Sequence, residues 1–111
     1  MIEEMWARIE RLEYHQKLLL ELVDMAEHPF TKLIIRKNLG RQEVSDFLEL
    51  CERMNNKLQE QKAEGFLNFH PLLKEFAEEL NKKLEVKETV QSCLQQSLYV
   101  ELMTEFNKYV S

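Results

Sequence analysis

The sequence predicts an all-α protein: a multihelical bundle of five or six helices, with a long heptad-patterned N-terminal helix, as a single helical domain over 1–111. Three observations predict it. Only Pro29, Gly40, Gly65 and Pro71 break helices in 111 positions, about a third of the usual Gly-plus-Pro content. The segments between them are rich in Leu, Glu, Lys and Gln, residues of high intrinsic helix propensity. Each segment also spaces its apolar residues three and four apart, the period of an α-helix.

The first helix is predicted over about residues 2–27, with the remaining bundle over 28–111. Ile2, Met5, Ile9, Leu12, Gln16, Leu19, Val23 and Ala26 are spaced 3-4-3-4-3-4-3, an unbroken heptad seam with Gln16 its one polar member. Around that seam the two halves differ. From Glu3 to Glu13 the surface is mostly charged, Trp6 being the main exception. From Leu18 to Met25 it is apolar nearly all round, and a helix apolar on every side is normally buried. The second half is therefore expected inside the domain core, and the first half against a single neighbour such as another subunit.

Pro29 suits the first turn of a second helix, about 30–38, because the N–H it lacks would have no helical partner there; it also biases His28 away from the helical region. This helix carries Phe30, Leu33, Ile34 and Ile35 and is expected to end at Asn38-Leu39-Gly40. Gly40 can supply the positive φ of a C-cap, or serve as the N-cap of the next helix, with Glu43 near the positive end of its dipole. The third helix, about 42–64, is expected to bury Val44, Phe47, Leu48, Cys51, Met54 and Leu58, to leave the polar Gln59–Glu64 exposed, and to stop at Gly65. Phe66, Leu67 and Phe69 read as a connector packed over the core.

His70-Pro71 repeats the start signal of His28-Pro29, and a fourth helix, about 71–84, aligns Leu72, Leu73, Phe76, Ala77, Leu80 and Leu84. After a turn near Glu85–Lys87, the residues Val90, Cys93, Leu94, Leu98, Leu102, Met103, Phe106 and Val110 keep helical spacing. A break is expected at Gln96–Tyr99, where Ser97 and the β-prone Tyr99 weaken the pattern. The predicted core is Leu19, Leu20, Val23, Leu33, Ile34, Phe47, Leu48, Cys51, Leu73, Phe76, Leu80, Leu94 and Leu102.

A net charge of −5 argues against general affinity for nucleic acid or anionic membrane. No stretch approaches the eighteen or so consecutive apolar residues that cross a bilayer, and Ile2-Glu3-Glu4 is unlike the basic start of a secretory signal. Cys51 and Cys93 stand alone on apolar helical faces, without a CxxC pair or a His at ligand spacing, and read as buried small hydrophobes. A cytoplasmic protein is expected.

The basic residues Lys32, Arg36, Lys37 and Arg41 form a candidate patch beside the Leu39-Gly40 turn, which invites a helix-turn-helix reading. Against it, the helix after the turn is long and acidic along Glu43, Asp46, Glu49 and Glu52, so it would repel phosphate. The helix C-terminus already favours cations at Arg36 and Lys37. A small DNA-associated regulator using this patch is the second reading of function. No Asp or Glu stands three residues before His15, His28 or His70, so the Glu-x-x-His signature of di-iron bundles is missing. The Glu residues instead fall on polar faces, in pairs such as Glu4/Arg8 and Glu13/Lys17. Ser45, Ser92, Ser97 and Ser111 lack a Gly-rich elbow, and two isolated glycines build no phosphate loop. No catalytic, cofactor-binding or metal residues are predicted, and an enzyme or metal protein is a distant third reading.

The heptad is the strongest functional signal, because such a seam requires a partner helix. Met5, Ile9, Leu12, Gln16 and Leu19 are the candidate oligomer interface. β-Branched residues at the first heptad position with Leu at the second favour two strands, so a homodimer comes first and a trimer second. The leading expectation is a non-enzymatic, self-associating interaction or regulatory module, with an unidentified protein partner also open.

Five motifs carry a resemblance: Arg8-Ile9-Glu10-Arg11-Leu12-Glu13-Tyr14, Pro29-Phe30, Gln61-Lys62-Ala63-Glu64-Gly65-Phe66, Leu80-Asn81-Lys82-Lys83-Leu84 and Ser97-Leu98-Tyr99-Val100-Glu101-Leu102-Met103. In this order, over nearly the whole chain, they resemble the YhaI-like family of short, uncharacterised Bacillus proteins. The resemblance implies a compact multihelical fold in a cytoplasmic bacterial protein and brings no catalytic residues. Ser97 stands where relatives are expected to carry Gly, in keeping with a helix break there.

Overall fold

A computed structural model describes residues 1–23 and 27–110. Among them are six helices and no strand: α1 Ile2–Leu22, α2 Pro29–Arg36, α3 Arg41–Ala63, α4 His70–Glu79, α5 Val86–Gln95 and α6 Val100–Val110. Helices α2–α6 share one core, with α5 packed on α6 and α2, and α3 packed on α4 and α6. Aromatic rings run through it. Phe30 of α2 stacks on Phe47 of α3 at 5.1 Å between centroids, Phe47 meets the edge of Phe76 of α4 at 6.3 Å, and Phe76 meets Phe106 of α6 at 5.1 Å. Cys51, Met54, Leu58, Val90, Cys93, Leu102 and Met103 fill the space around these rings with no exposed surface.

Three of the helices end alike, and one of the three ends where the sequence suggested another residue. After α2, Asn38 adopts φ 57, its N–H bonds Ile35 O and the next N–H, of Leu39, bonds Ile34 O. Gly65 (φ 89) and Ser97 (φ 61) repeat this pair of bonds after α3 and α5. This is the Schellman arrangement, which satisfies the last carbonyls of a helix with one left-handed residue. Asn38, not Gly40, supplies the positive φ after α2, since a short polar side chain tolerates that conformation. Gly40 is extended (φ −83, ψ 173) and acts as the N-cap of α3, with its N–H donated to Glu43 Oε1 at 3.0 Å. The break expected at Gln96–Tyr99 is present, and Tyr99 also has positive φ (47).

Several expectations are corrected. The first helix ends at Leu22, with Val23 extended, short of residue 27; Met25 and Ala26 lie outside the described residues. No residue of α1 is buried, so its second half does not enter the core: Leu19 and Val23 are exposed and Leu20 is half-buried. The rule that an all-apolar helix is buried assumes a receiving surface within the chain, and α2–α6 close on one another without α1. Leu48 is 38 % exposed because the buried stripe of α3 runs Phe47, Leu50, Cys51, Met54 and Leu58, one position away from it. The connector does not cover the core with Phe66 and Leu67, which is 93 % exposed; Gly65 turns the chain outward, and Phe69 alone returns inside. Helix α4 stops at Glu79, with Leu80 extended, and Ala77 is exposed. Leu84 is buried from a turn in which its N–H bonds Asn81 O at 2.9 Å. Leu94 is only half-buried.

Because α1 extends away from the rest, the molecule measures 61 × 28 × 18 Å, with a radius of gyration of 17.4 Å. A compact domain of this length has about 13 Å.

Candidate interaction surface

Helix α1 rises about 1.5 Å per residue, so its 21 residues form a rod about 30 Å long. Successive residues advance about 100° around the axis, which brings a seam spaced three and four onto one side. The candidate interface residues lie there in the open: Met5 is 61 % exposed, Ile9 42 %, Leu12 61 % and Leu19 60 %, with Gln16 exposed between them. Met5, Arg8, Ile9 and Leu12 line a groove of about 230 Å³. Their spacing, i, i+3, i+4 and i+7, is that of the four-residue hole into which a knob from a facing helix inserts. Arg8 borders this hole and was not among the residues singled out from the sequence. The signal that finds it is its heptad place, immediately before a seam residue.

The width of the apolar surface changes along the rod. Ile2, Met5, Trp6, Ile9 and Leu12 span an arc of about 120°, whereas Leu18, Leu19, Leu20 and Leu22 span about 200°. Single exposed apolar residues are ordinary, whereas a contiguous exposed apolar surface is a candidate for interaction. Among the described residues, no side chain of α1 forms an ion pair, and the expected pairs Glu4/Arg8 and Glu13/Lys17 do not close.

Elsewhere the charged side chains serve the fold. Of the basic cluster, Arg36 and Lys37 reach Glu88 of α5, at 2.9 and 4.0 Å. Lys32 and Arg36 line a shallow cleft of about 390 Å³ with Gln91 and Gln95; Arg41, at the start of α3, does not line it. The end of α3 is docked on α6 by polar contacts, since Lys62 bonds Glu101 at 2.8 Å and lies 3.7 Å from Glu105. Lys62 is held above the usual lysine range mainly by the Glu101 hydrogen bond. Glu43 accepts from the Gly40 N–H, Lys83 Nζ and Asn81 Nδ2 at 3.0, 2.9 and 2.8 Å, which hold its carboxyl at about 2. Burial pushes the Cys93 thiol up to about 12 and the Cys51 thiol up as well, so neither forms a reactive thiolate near neutral pH.

His15, His28 and His70 are brought to different parts of the molecule, on α1, before α2 and at the start of α4. Among the described residues, no group of three or more His, Cys, Asp or Glu side chains is placed to hold a metal ion. Among them, too, no helix is long and apolar enough to cross a membrane. The arrangement offers one extended element with an uncovered apolar seam, beside a body whose core is complete. Compared with known families, residues 2–111 match the model described as "Protein of unknown function (DUF1878)".

Proposed function

We propose, for a chain that belongs to this family of unknown function, a non-enzymatic interaction module that self-associates through α1. One observation carries the reading: the Met5–Leu12 hole stands open on a helix of which no residue is buried. A heptad repeat, 3.5 residues per turn, keeps such holes facing a partner that winds around the same axis. The second copy of the chain is the occupant, because it presents the same seam. Covering the seam side chains of two copies removes on the order of 1,000 Å² from water, near the lower bound for a specific association. Ile2 and Ile9 at the first heptad position, with Leu12 and Leu19 at the second, favour two strands. The arc of about 200° at Leu18–Leu22 is the observation that favours three, since a two-stranded seam covers less of each helix. Within this reading the protein works in a bacterial cytoplasm, as the likeness to the YhaI-like Bacillus proteins implies.

Light scattering at tens of micromolar tests the proposal. The parent is expected at twice or three times the 13.4 kDa chain mass, and Ile9→Asp at the chain mass itself. The substitution would place one carboxylate per strand in a dry seam with no partner, a strongly unfavourable arrangement. Glu10→Ala, on the outer side of α1, is expected to leave the mass unchanged. A parent that runs at 13.4 kDa overturns the reading.

A further inference from the structure

Resting on self-association through α1, we propose that its helices pair parallel and in register, with Gln16 facing Gln16 of the partner subunit and Arg8 facing Glu13 of the partner subunit. Two independent features point to this orientation.

The first is the one polar residue of the seam. In a parallel, in-register pair each seam residue meets its own counterpart, so the two Gln16 amides lie together, and each offers a donor and an acceptor to the other. In an antiparallel pair, residues of the first seam position meet residues of the second. Gln16 would then face Met5 or Leu12, and its amide would enter an apolar layer with no partner. A buried amide left unpaired costs about 1–3 kcal/mol, and symmetry doubles the loss.

The second is the charge beside the seam. Arg8 directly precedes Ile9, and Glu13 directly follows Leu12, the two flanking places from which interhelical ion pairs set orientation. In a parallel pair a residue in the first place faces the residue five further along the partner, which joins Arg8 to Glu13 of the partner subunit twice. An antiparallel pair instead sets residues of the same place against one another: with Gln16 on Met5 it brings Arg8 towards His15 of the partner subunit, and with Gln16 on Leu12 it brings Glu13 towards Glu13 of the partner subunit. In either register the Arg8–Glu13 ion pairs are lost. Neither Arg8 nor Glu13 is engaged in an ion pair among the described residues. They cannot satisfy one another along a single helix, because five residues separate them by about 140°.

This orientation places the bodies formed by α2–α6 at the same end of the rod, next to the Leu18–Leu22 section with its wider apolar arc. An antiparallel pair would hold them at opposite ends.

Two measurements on the full chain test it. With Met5→Cys, air oxidation is expected to give a disulfide-linked species on a non-reducing gel, since the two positions face one another. The antiparallel pairings that set Gln16 on Met5 or on Leu12 separate them by more than about 15 Å, beyond disulfide reach. Cys51 and Cys93 are fully buried and do not compete for oxidation. In sedimentation equilibrium at low salt, Arg8→Glu and Glu13→Arg are each expected to weaken association about tenfold, and the double exchange to restore most of it. That rescue cannot arise within one helix. A parent oligomer whose Met5→Cys variant fails to cross-link, or whose double exchange is no tighter than the singles, overturns the parallel arrangement and leaves self-association standing. A monomeric parent overturns both.

Discussion

Helix α2 starts without a local cap, and a side chain from the far end of the sequence completes it. Its N-cap residue, His28, makes no side-chain capping bond, and Pro29 has no N–H, so the first donors needing partners are those of Phe30 and Thr31. Both are donated to Gln96 Oε1, at 2.9 and 3.1 Å, from 66 and 65 residues away, while Gln96 Nε2 donates to Thr31 Oγ1 at 3.1 Å. Gln96→Ala removes all three bonds. Loss of a helix cap costs about 1 kcal/mol, and leaving the half-buried Phe30 N–H unpaired adds about 1 kcal/mol, so about 2 kcal/mol is expected. Gln96→Glu keeps the accepting oxygens and sets a negative charge at the positive end of the α2 dipole, worth about 0.3–1 kcal/mol. It is therefore expected within about 0.5 kcal/mol of the parent at pH 7, offsetting the lost Nε2 contact. Urea unfolding followed by far-ultraviolet circular dichroism measures both, with chain concentration fixed because association stabilises the folded state. If Gln96→Ala unfolds within about 0.3 kcal/mol of the parent, the long-range cap is not a stabilising contact.

In the same assay Phe76→Ala is expected to cost about 3–5 kcal/mol, because Phe76 is fully buried between Phe47 and Phe106. Leu48→Ala, at a position 38 % exposed, is expected to cost less than about 1 kcal/mol, and equal losses would refute the observed phase of α3. The Glu43 carboxyl falls from its ordinary 4.5 to about 2 in the folded chain, so its interactions favour the folded state fully above pH 4.5 and are lost as pH falls towards 2. The stability gap between the parent and Glu43→Gln is therefore expected to be widest at and above about pH 5 and to close below it, whereas a gap constant with pH would show that Glu43 titrates normally.

The helices were legible wherever a local signal terminates or starts them. Gly65 stops α3, Pro29 and Pro71 mark the first turns of α2 and α4, and the weakened pattern at Ser97 and Tyr99 separates α5 from α6. The ends that were misplaced carry no such mark. Leu22 is followed by Val23 and Glu79 by Leu80, ordinary helix-compatible residues that are nonetheless extended here. Gln96 as the cap of α2 was not legible, because its partners lie 65 and 66 residues away and nothing local distinguishes it from Gln95. The groove on α1 was legible in its apolar members, whose spacing defines the seam. Arg8 escaped because composition ranks it as solvated surface, while heptad position ranks it as the rim of a hole.

Burial held as a guide at the end of α3 and failed on α1, and that failure locates the candidate site. The polar end of α3 is exposed as expected at Gln59, Glu60, Ala63 and Glu64, and its Lys62 and Gln59 side chains reach Glu101 along the surface, with Lys62 also approaching Glu105. The apolar second half of α1 was expected in the core, yet Leu19, Leu22 and Val23 stand in water. A core closes when its own helices meet, and here Phe30, Phe47, Phe76 and Phe106 join α2, α3, α4 and α6 without α1. What the closed core leaves on its own surface is scattered, such as Leu48, Phe66, Leu67 and Val100, whereas what it leaves on α1 is a continuous stripe. Scattered apolar residues are the ordinary remainder of a small domain, which has too little polar surface to cover itself. A stripe repeated every seven residues, interrupted by one amide and flanked by charges of opposite sign, is not required by the fold of α2–α6. The proposed self-association accounts for it, because a second copy of the chain would present a helix with the same repeat.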